Sequence, residues 1–295
     1  MSKKVICFGE MLWDCFPGYE IPGGAPMNVA LHLNQLGLDS KMISRLGQDD
    51  YGKRYLEFIG SYNFNTSLIQ SDPVHDTGTV TVHNEDPENI RYTIVSPVAW
   101  DYIALNETNK AAVAEADAFI FGSLAIRNNT SWETLYQLLH LPTLKIFDIN
   151  LRAPYFDFEK IEIILGFTDI LKINEDELEI VADYFGISAD VAECCKLLTT
   201  HFPVKMVCIT LGAKGAMIYQ EGKVYQHPGY KVSVEDTVGS GDAFLSGFVK
   251  TYLEGKSPNE ILDFACALGA FVATKKGGTP RYSEGEVWKV VGSGQ

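Results

Sequence analysis

The sequence predicts an α/β protein in which a mostly parallel sheet carries helices on both faces and a small β-sheet lid stands beside it. Short apolar runs alternate with helical patterns from one end of the chain to the other, the alternation that builds parallel sheets. Two stretches, near residues 10–22 and 78–100, break that rhythm with Val, Thr, Tyr and other aromatic residues and few helix formers. The 295 residues, 46% of them hydrophobic, suffice for a sizeable core without disulfides or metals, and no long linker or repeat divides them. One domain over residues 1–295 is therefore expected.

Taken in order, Val5–Gly9, Lys41–Leu46, Ala118–Gly122, Lys145–Ile149, Ile170–Ile173 and Val204–Leu211 read as buried strands, each a short apolar run. Between them, Met27–Leu36 repeats Val29, Leu33 and Leu36 at helical spacing and stops at Gly37. Further helical patterns cover Asp50–Tyr62, Ser131–Leu139, Glu175–Tyr184, Ala189–Thr199, Ser240–Glu254 and Pro258–Lys275. In the lid, Thr79–His83 and Arg91–Val95 read as antiparallel strands joined through Asn84–Asn89. Val207–Thr210 and Ala216–Tyr219 read as a hairpin, and Gly292–Gln295 as a loose tail.

Composition narrows the function classes. The formal net charge is −14, from 38 acidic and 24 basic residues, and no Lys/Arg cluster exceeds a pair, so the basic footprint of a nucleic-acid binder is missing. That acidity serves solubility and leaves room for an anionic substrate, which needs only local donors and a cation. Cys7, Cys15, Cys194, Cys195, Cys208 and Cys266 fit neither a zinc spacing nor a secreted disulfide framework. Glu10 and Asp14 interrupt the N-terminal apolar run too early for a signal peptide. No uncharged apolar stretch reaches the ~20 residues of a membrane helix. A cytoplasmic protein without a membrane partner is expected.

The strongest chemical signal is Asp236-Thr237-Val238-Gly239-Ser240-Gly241-Asp242-Ala243-Phe244, which opens a helix with Leu245, Phe248, Val249 and Tyr252 on its buried face. Gly239 and Gly241 let N–H groups converge at a helix N-terminus, where the macrodipole favours an anion. Asp242 in the first turn is placed to take a proton from an attacking hydroxyl while those donors hold charge on a transferred phosphate. By itself the string is equally a tight turn with a capping Asp, and it is not a Walker A loop, since no Gly-Lys-Ser/Thr follows.

The longer string resembles the C-terminal signature of the ribokinase-like (PfkB) carbohydrate kinase family, D-T-x-G-[AS]-G-D-x-F, at every fixed position. Gly23-Gly24-Ala25-Pro26-Met27-Asn28 resembles that family's Gly-Gly-x-x-x-Asn sugar motif, and the resemblance extends over roughly residues 4–285. It implies a ribokinase-like three-layer fold and an ATP-dependent sugar kinase. Asp242 would be the base, with Gly239, Ser240, Gly241 and Arg152 aiding transfer. Asp14, Gly23, Gly24 and Asn28 would bind sugar. Asp148-x-Asn150-x-Arg152 resembles a family stretch that follows a strand. Lys172-x-Asn174-Glu175-Asp176-Glu177 resembles the N-x-x-E motif, which implies that Asn174 and Glu177 organise Mg²⁺ through water. Thr210-Leu211-Gly212-Ala213-Lys214-Gly215 resembles the turn lining the nucleotide site, with Lys172 and Asn174 nearby. Adenine and monovalent-cation contacts are expected around Lys275–Gly278, with K⁺ held at Asp236 and Val238, and a homodimer through the lid is a further expectation.

Among family members the pattern of Gly9-Glu10, Asp14, Gly23-Gly24-Ala25-Pro26 and Asn28 is most similar to fructokinases. That group often carries an Arg near an Ala-Asp pair in the flap. Here Tyr92–Asp101 has no Arg at that place, and Trp100 separates Ala99 from Asp101, so Trp100 is expected beside the sugar. D-fructose is the expected substrate, with ribose, 2-keto-3-deoxygluconate or adenosine as alternatives. A catalytically silent sugar-binding regulator would be expected to lose Asp242 or its glycines, and both are intact.

Overall fold

The computed structural model describes residues 2–83, 91–187 and 190–292. Its strands are β1 (Lys4–Phe8), β2 (Leu12–Phe16), β3 (Tyr19–Gly23), β4 (Asp39–Gly47), β5 (Ile69–Asp72), β6 (Gly78–His83), β7 (Arg91–Ile94), β8 (Ala118–Gly122), β9 (Leu144–Asp148), β10 (Ile170–Asn174), β11 (Met206–Thr210), β12 (Ala216–Gln220) and β13 (Lys223–His227). The helices are α1 (Ala25–Gln35), α2 (Asp50–Gly60), α3 (Glu107–Ala114), α4 (Asn129–Leu139), α5 (Phe158–Leu165), α6 (Glu175–Phe185), α7 (Val191–His201), α8 (Ser240–Leu253), α9 (Pro258–Ala273) and α10 (Glu284–Gly292).

Nine strands form one sheet in the order β13-β12-β11-β10-β9-β8-β1-β4-β5. From β11 to β5 every pair is parallel, and β11–β12–β13 closes one edge as an antiparallel meander. Side-chain alternation with period two sorts the core into two layers. On one face Ile6, Phe8, Phe119, Phe121 and Phe147 pack with Leu135 of α4, Ile161 of α5, Leu178 of α6 and Leu198 of α7. On the other, Val5, Cys7, Ile120 and Ile146 pack with Met27 and Leu31 of α1, Phe244 and Phe248 of α8 and Ile261 of α9. Strands buried on both faces lack polar alternation, which is why they read as continuous apolar runs.

The lid is a separate four-stranded sheet, β3-β2-β6-β7. Strands β2 and β6 pair in parallel although both belong to hairpins, so the lid is assembled from two segments distant in sequence. The expected link Asn84–Asn89, the expected helix start at Ala189 and the tail beyond Gly292 lie outside the described residues.

Five elements have no clear trace in the sequence. Strand β5 is a short edge strand with one buried residue, and β13 has none, so neither needs an apolar run. Helix α3 buries only Asn109 and Val113, α5 spans eight residues rich in Ile, and α10 buries only Val287 and Val291. Packing against neighbours, not propensity, holds such short helices. No helix among the described residues is long and apolar enough to cross a membrane.

Candidate active site

The sheet brings polar residues from four strands to one edge. Glu10 follows β1, Asp148 ends β9, Lys172 lies in β10, Asn174 ends β10 and Thr210 ends β11, all toward the C-terminal ends of parallel strands. That edge is where open α/β sheets hold ligands. The N-termini of α1 and α8 enter the same place, for Asn28 Nδ2 donates to Asp242 Oδ2 at 2.8 Å across 214 residues of sequence.

Helix α8 begins at Ser240 after Gly239, whose φ is 72°; a Cβ there would overlap the backbone of Gly278. Ser240 N–H closes the turn onto Thr237 O at 3.2 Å and its hydroxyl donates to Gly269 O at 3.0 Å. Ser240 is thus spent on holding the loop against α9, and the N–H groups of Gly241 and Asp242 remain as first-turn donors without partners inside the helix. Lys172 Nζ stands 3.9 Å from where a Cβ of Gly241 would sit. It pairs with both oxygens of Asp148, at 2.8 and 2.9 Å. Burial works against the lysine charge, but Asp148, then Glu177 and Asp242, outweigh it, and its pKa lies above the ordinary value.

Four carboxyls titrate high here, Glu177 among them. Burial is the main cause for each: it pushes Asp242 up to about 6 against the Asn28 hydrogen bond, with Asp148 adding to the rise and Lys172 and Arg152 opposing it. Asp14, on β2, is also raised to about 6, and Glu10 to about 7; Arg152 lowers both and Asp242 raises both. Arg152 itself is exposed at the mouth, with Nη1 donating to Leu151 O at 3.0 Å. Gly23 makes room for Asp14, since a Cβ on Gly23 would come 2.5 Å from Asp14 Oδ2. Gly24 takes φ 112°, and a Cβ there would overlap Glu10 O.

Asn174 and Glu177 form a reciprocal cap on α6: Glu177 N donates to Asn174 Oδ1 at 2.8 Å and Asn174 N to Glu177 Oε2 at 3.0 Å. Leu151 N adds a bond to Glu177 Oε1 at 2.9 Å. Thr210 pairs in register with Asn174, which sets the hairpin turn carrying the exposed Gly212 and the buried Gly215 beside the same edge. Asp236 Oδ1 accepts from Val238 N at 3.0 Å and Oδ2 from Gly277 N at 3.1 Å, tying the loop before α8 to the segment after α9.

Trp100 differs from expectation. Its side chain has no exposed surface, the Arg127 guanidinium covers its ring at 3.9 Å, and it packs with Leu12 and Val80 under the lid. A residue without exposed surface cannot line the pocket mouth, so Trp100 belongs to the core beneath the lid.

Sequence reasoning assigned no role to His32, one helical turn beyond Asn28. Its Nε2 bonds Gly278 O at 2.8 Å and its Nδ1 faces the Tyr282 hydroxyl at 2.9 Å. A carbonyl only accepts, so Nε2 carries the proton and Nδ1 accepts from Tyr282. The Asn28/His32 spacing of i, i+4 was the available signal. Burial pushes the His32 ring down to about 4, so its carbon resonances are expected to report neutral imidazole throughout pH 5–8. A ring titrating at 6 or above would mean that water reaches it.

A cavity of about 500 Å³ lined by Phe202, Lys205, Gln220 and Tyr252 lies at the opposite edge, where β11 begins, away from every carboxyl named above.

Residues 3–284 match the pfkB family carbohydrate kinase. An uncharacterized sugar kinase of Pyrococcus horikoshii is 31% identical over 273 residues, covering 89% of this chain and 84% of that one. Its structure in complex with ATP superposes with a TM-score of 0.83 over 97% of both chains. The Escherichia coli fructokinase is 26% identical over 297 residues, covering 94% of this chain and 95% of its own. A Vibrio cholerae fructokinase double mutant, solved with fructose, ADP and potassium ion, has a TM-score of 0.84 at 23% identity and 98% coverage of both chains.

Proposed function

The chain belongs to the pfkB family of carbohydrate kinases and is a sugar kinase; from that premise we propose that it transfers the γ-phosphoryl group of ATP to the primary hydroxyl of D-fructose, giving fructose 6-phosphate. The observation that carries the chemistry is the Asn28–Asp242 hydrogen bond at 2.8 Å, which joins the sugar motif to the phosphate loop. Fructose is favoured by similarity to the E. coli fructokinase over 94% of this chain.

Asn28 and Asp14 orient the sugar, and Asp242 accepts the proton of its primary hydroxyl. The oxygen then bonds to the γ-phosphorus, the bond to the bridging oxygen of ADP breaks, and ADP departs with that electron pair. The Gly241 and Asp242 N–H groups, Lys172 and Arg152 hold the charge spread over the moving phosphoryl oxygens. The lid over the sugar excludes water that would otherwise take the phosphoryl group.

Among the described residues no group of three or more His, Cys, Asp or Glu is arranged to hold a metal directly. Both Glu177 oxygens accept N–H bonds and both Asp148 oxygens face Lys172. That oxygen-rich but occupied set fits a hydrated ion touched through its waters, so Asn174 and Glu177 would hold Mg²⁺ in this way. Bound with ATP, the ion would neutralise phosphate charge. Asp236 and the carbonyls around Val238 are the proposed K⁺ ligands, as potassium is bound in the Vibrio relative.

The test is ADP release with Mg-ATP across fructose, ribose, 2-keto-3-deoxygluconate and adenosine, with and without potassium. Highest kcat/KM for fructose supports the reading; preference for another sugar overturns the substrate and keeps the chemistry. The base must be ionised to act, so kcat/KM is expected to fall about tenfold per pH unit below about 6, the value to which burial raises Asp242. An acidic limb centred near pH 4 would show that the Asp242 carboxyl is not raised by burial, leaving the loss of that limb in Asp242→Asn to decide its role as base.

A further inference from the structure

Arg127 lies just beyond the single helical turn Leu124–Ile126 that follows β8, and its side chain is 4% exposed. Its Nε donates to Asp101 Oδ1 at 2.7 Å and Nη2 to Asp101 Oδ2 at 2.8 Å. Nη2 also donates to Val95 O at 2.7 Å, the residue at which β7 leaves the lid. The guanidinium lies over the rings of Trp100, at 3.9 Å, and Tyr155, at 4.9 Å. Tyr155 Oη in turn donates to Ile94 O at 3.0 Å.

The segment that carries Trp100 and Asp101 is tied to α4 and braced within itself. Ser131 Oγ on α4 donates to Trp100 O at 2.8 Å, and Val98 N donates to Asp101 Oδ2 at 3.0 Å. Leu12, Val80 and Ile94 of the lid pack on Val98, Trp100 and Leu124 directly beneath. Leu12 opens β2, which two residues later carries Asp14, and its side chain borders Gly23. The lid's root and its sugar-facing strand therefore share one support.

Stability alone does not account for this arrangement. A buried ion pair gives little net stability after desolvation. Arg127 Nη1 is buried without a hydrogen-bond partner among the described residues, which costs more. What the fork supplies is position, since a planar guanidinium holds a carboxylate and a carbonyl in one fixed geometry.

We propose that Arg127 is a positioning residue for phosphoryl transfer: it clamps the root of the lid so that Asp14 and Gly23 stand over Asp242 before sugar binds. The proposal rests on the sugar-kinase assignment but not on which sugar is used. A preset lid spares the sugar the cost of ordering it, and closure keeps water from competing for the phosphoryl group.

The test compares wild type with Arg127→Lys, which keeps the charge and loses the fork, and with the double variant Arg127→Met/Asp101→Asn, which leaves no unpaired buried charge. Hydrogen exchange at the β6 and β7 amides is expected to quicken about tenfold or more, with α8 unchanged. With the best sugar of the panel, KM for sugar is expected to rise about tenfold while kcat per active site changes less than about threefold. ATP hydrolysis without sugar should rise relative to sugar-dependent turnover. Unchanged lid exchange with unchanged sugar KM, or a fall in melting temperature and active fraction alone, overturns the proposal. If wild type turns over no sugar in the panel, the substrate reading fails while the exchange measurement still decides the role of Arg127.

Discussion

Asp242→Asn is expected to lower kcat about 10³-fold, within the range that a positioned general base supplies, and to leave sugar KM within a few-fold. The amide is nearly isosteric and can still meet Asn28 Nδ2 through its oxygen, so the contact now measured at 2.8 Å can persist. What is lost is the acceptor for the hydroxyl proton. Burial had raised the carboxyl to about 6, close enough to neutrality to make a stronger base than an exposed Asp and still ionised at pH 7. The variant should also lose the acidic limb of the pH profile, because the group that titrates is gone. A variant retaining near-wild-type kcat would assign the proton to another group, and Glu10 and Asp14, two other raised carboxyls nearby, would be examined next.

Lys172→Met carries the second large effect, on stability as well as rate. Lys172 Nζ lies 2.8 and 2.9 Å from the two oxygens of Asp148, and both side chains are nearly buried. Removing the cation strands a carboxylate, which costs about 3–5 kcal/mol and is expected to lower the melting temperature by roughly 10 °C. Adding Asp148→Leu removes the stranded charge and should restore most of that loss. Activity should stay low in the double variant, because the cation beside Gly241 is still missing. Thermal melts and kinetics of the two variants separate the parts: a single variant that melts with wild type would show the pair to be solvated, and a double variant that recovers activity would remove Lys172 from phosphate binding.

These residues also show how far the sequence could be read. The turn that opens α8 was legible because its geometry is local: Gly239, Gly241 and Asp242 lie within four positions, and a helix start dictates where their N–H groups point. Asn174 and Glu177 were legible as a pair for the same reason, since a spacing of three on one helix turn makes them neighbours. Their mutual capping was not, because the N-x-x-E pattern is equally a capping box, and only the bond from Leu151 N shows that Glu177 also anchors the loop after β9. Trp100 was misplaced because spacing along the flap says nothing about which way a ring turns, and Arg127, 27 positions downstream, covers it.

The sequence by itself determined the α/β class, the two-faced burial of the central strands, the existence of the lid and the glycine turn that opens α8. Each depends on periodicity, turn chemistry or a contiguous motif, which act over a few residues. The tertiary structure alone decided the register that brings Asn28 to Asp242, the pairing of Lys172 with Asp148, the burial that raises the carboxyls, and the clamp of Arg127 on the lid. Those are contacts between segments far apart in the chain, and their energies depend on how much water the assembled fold removes from each charge.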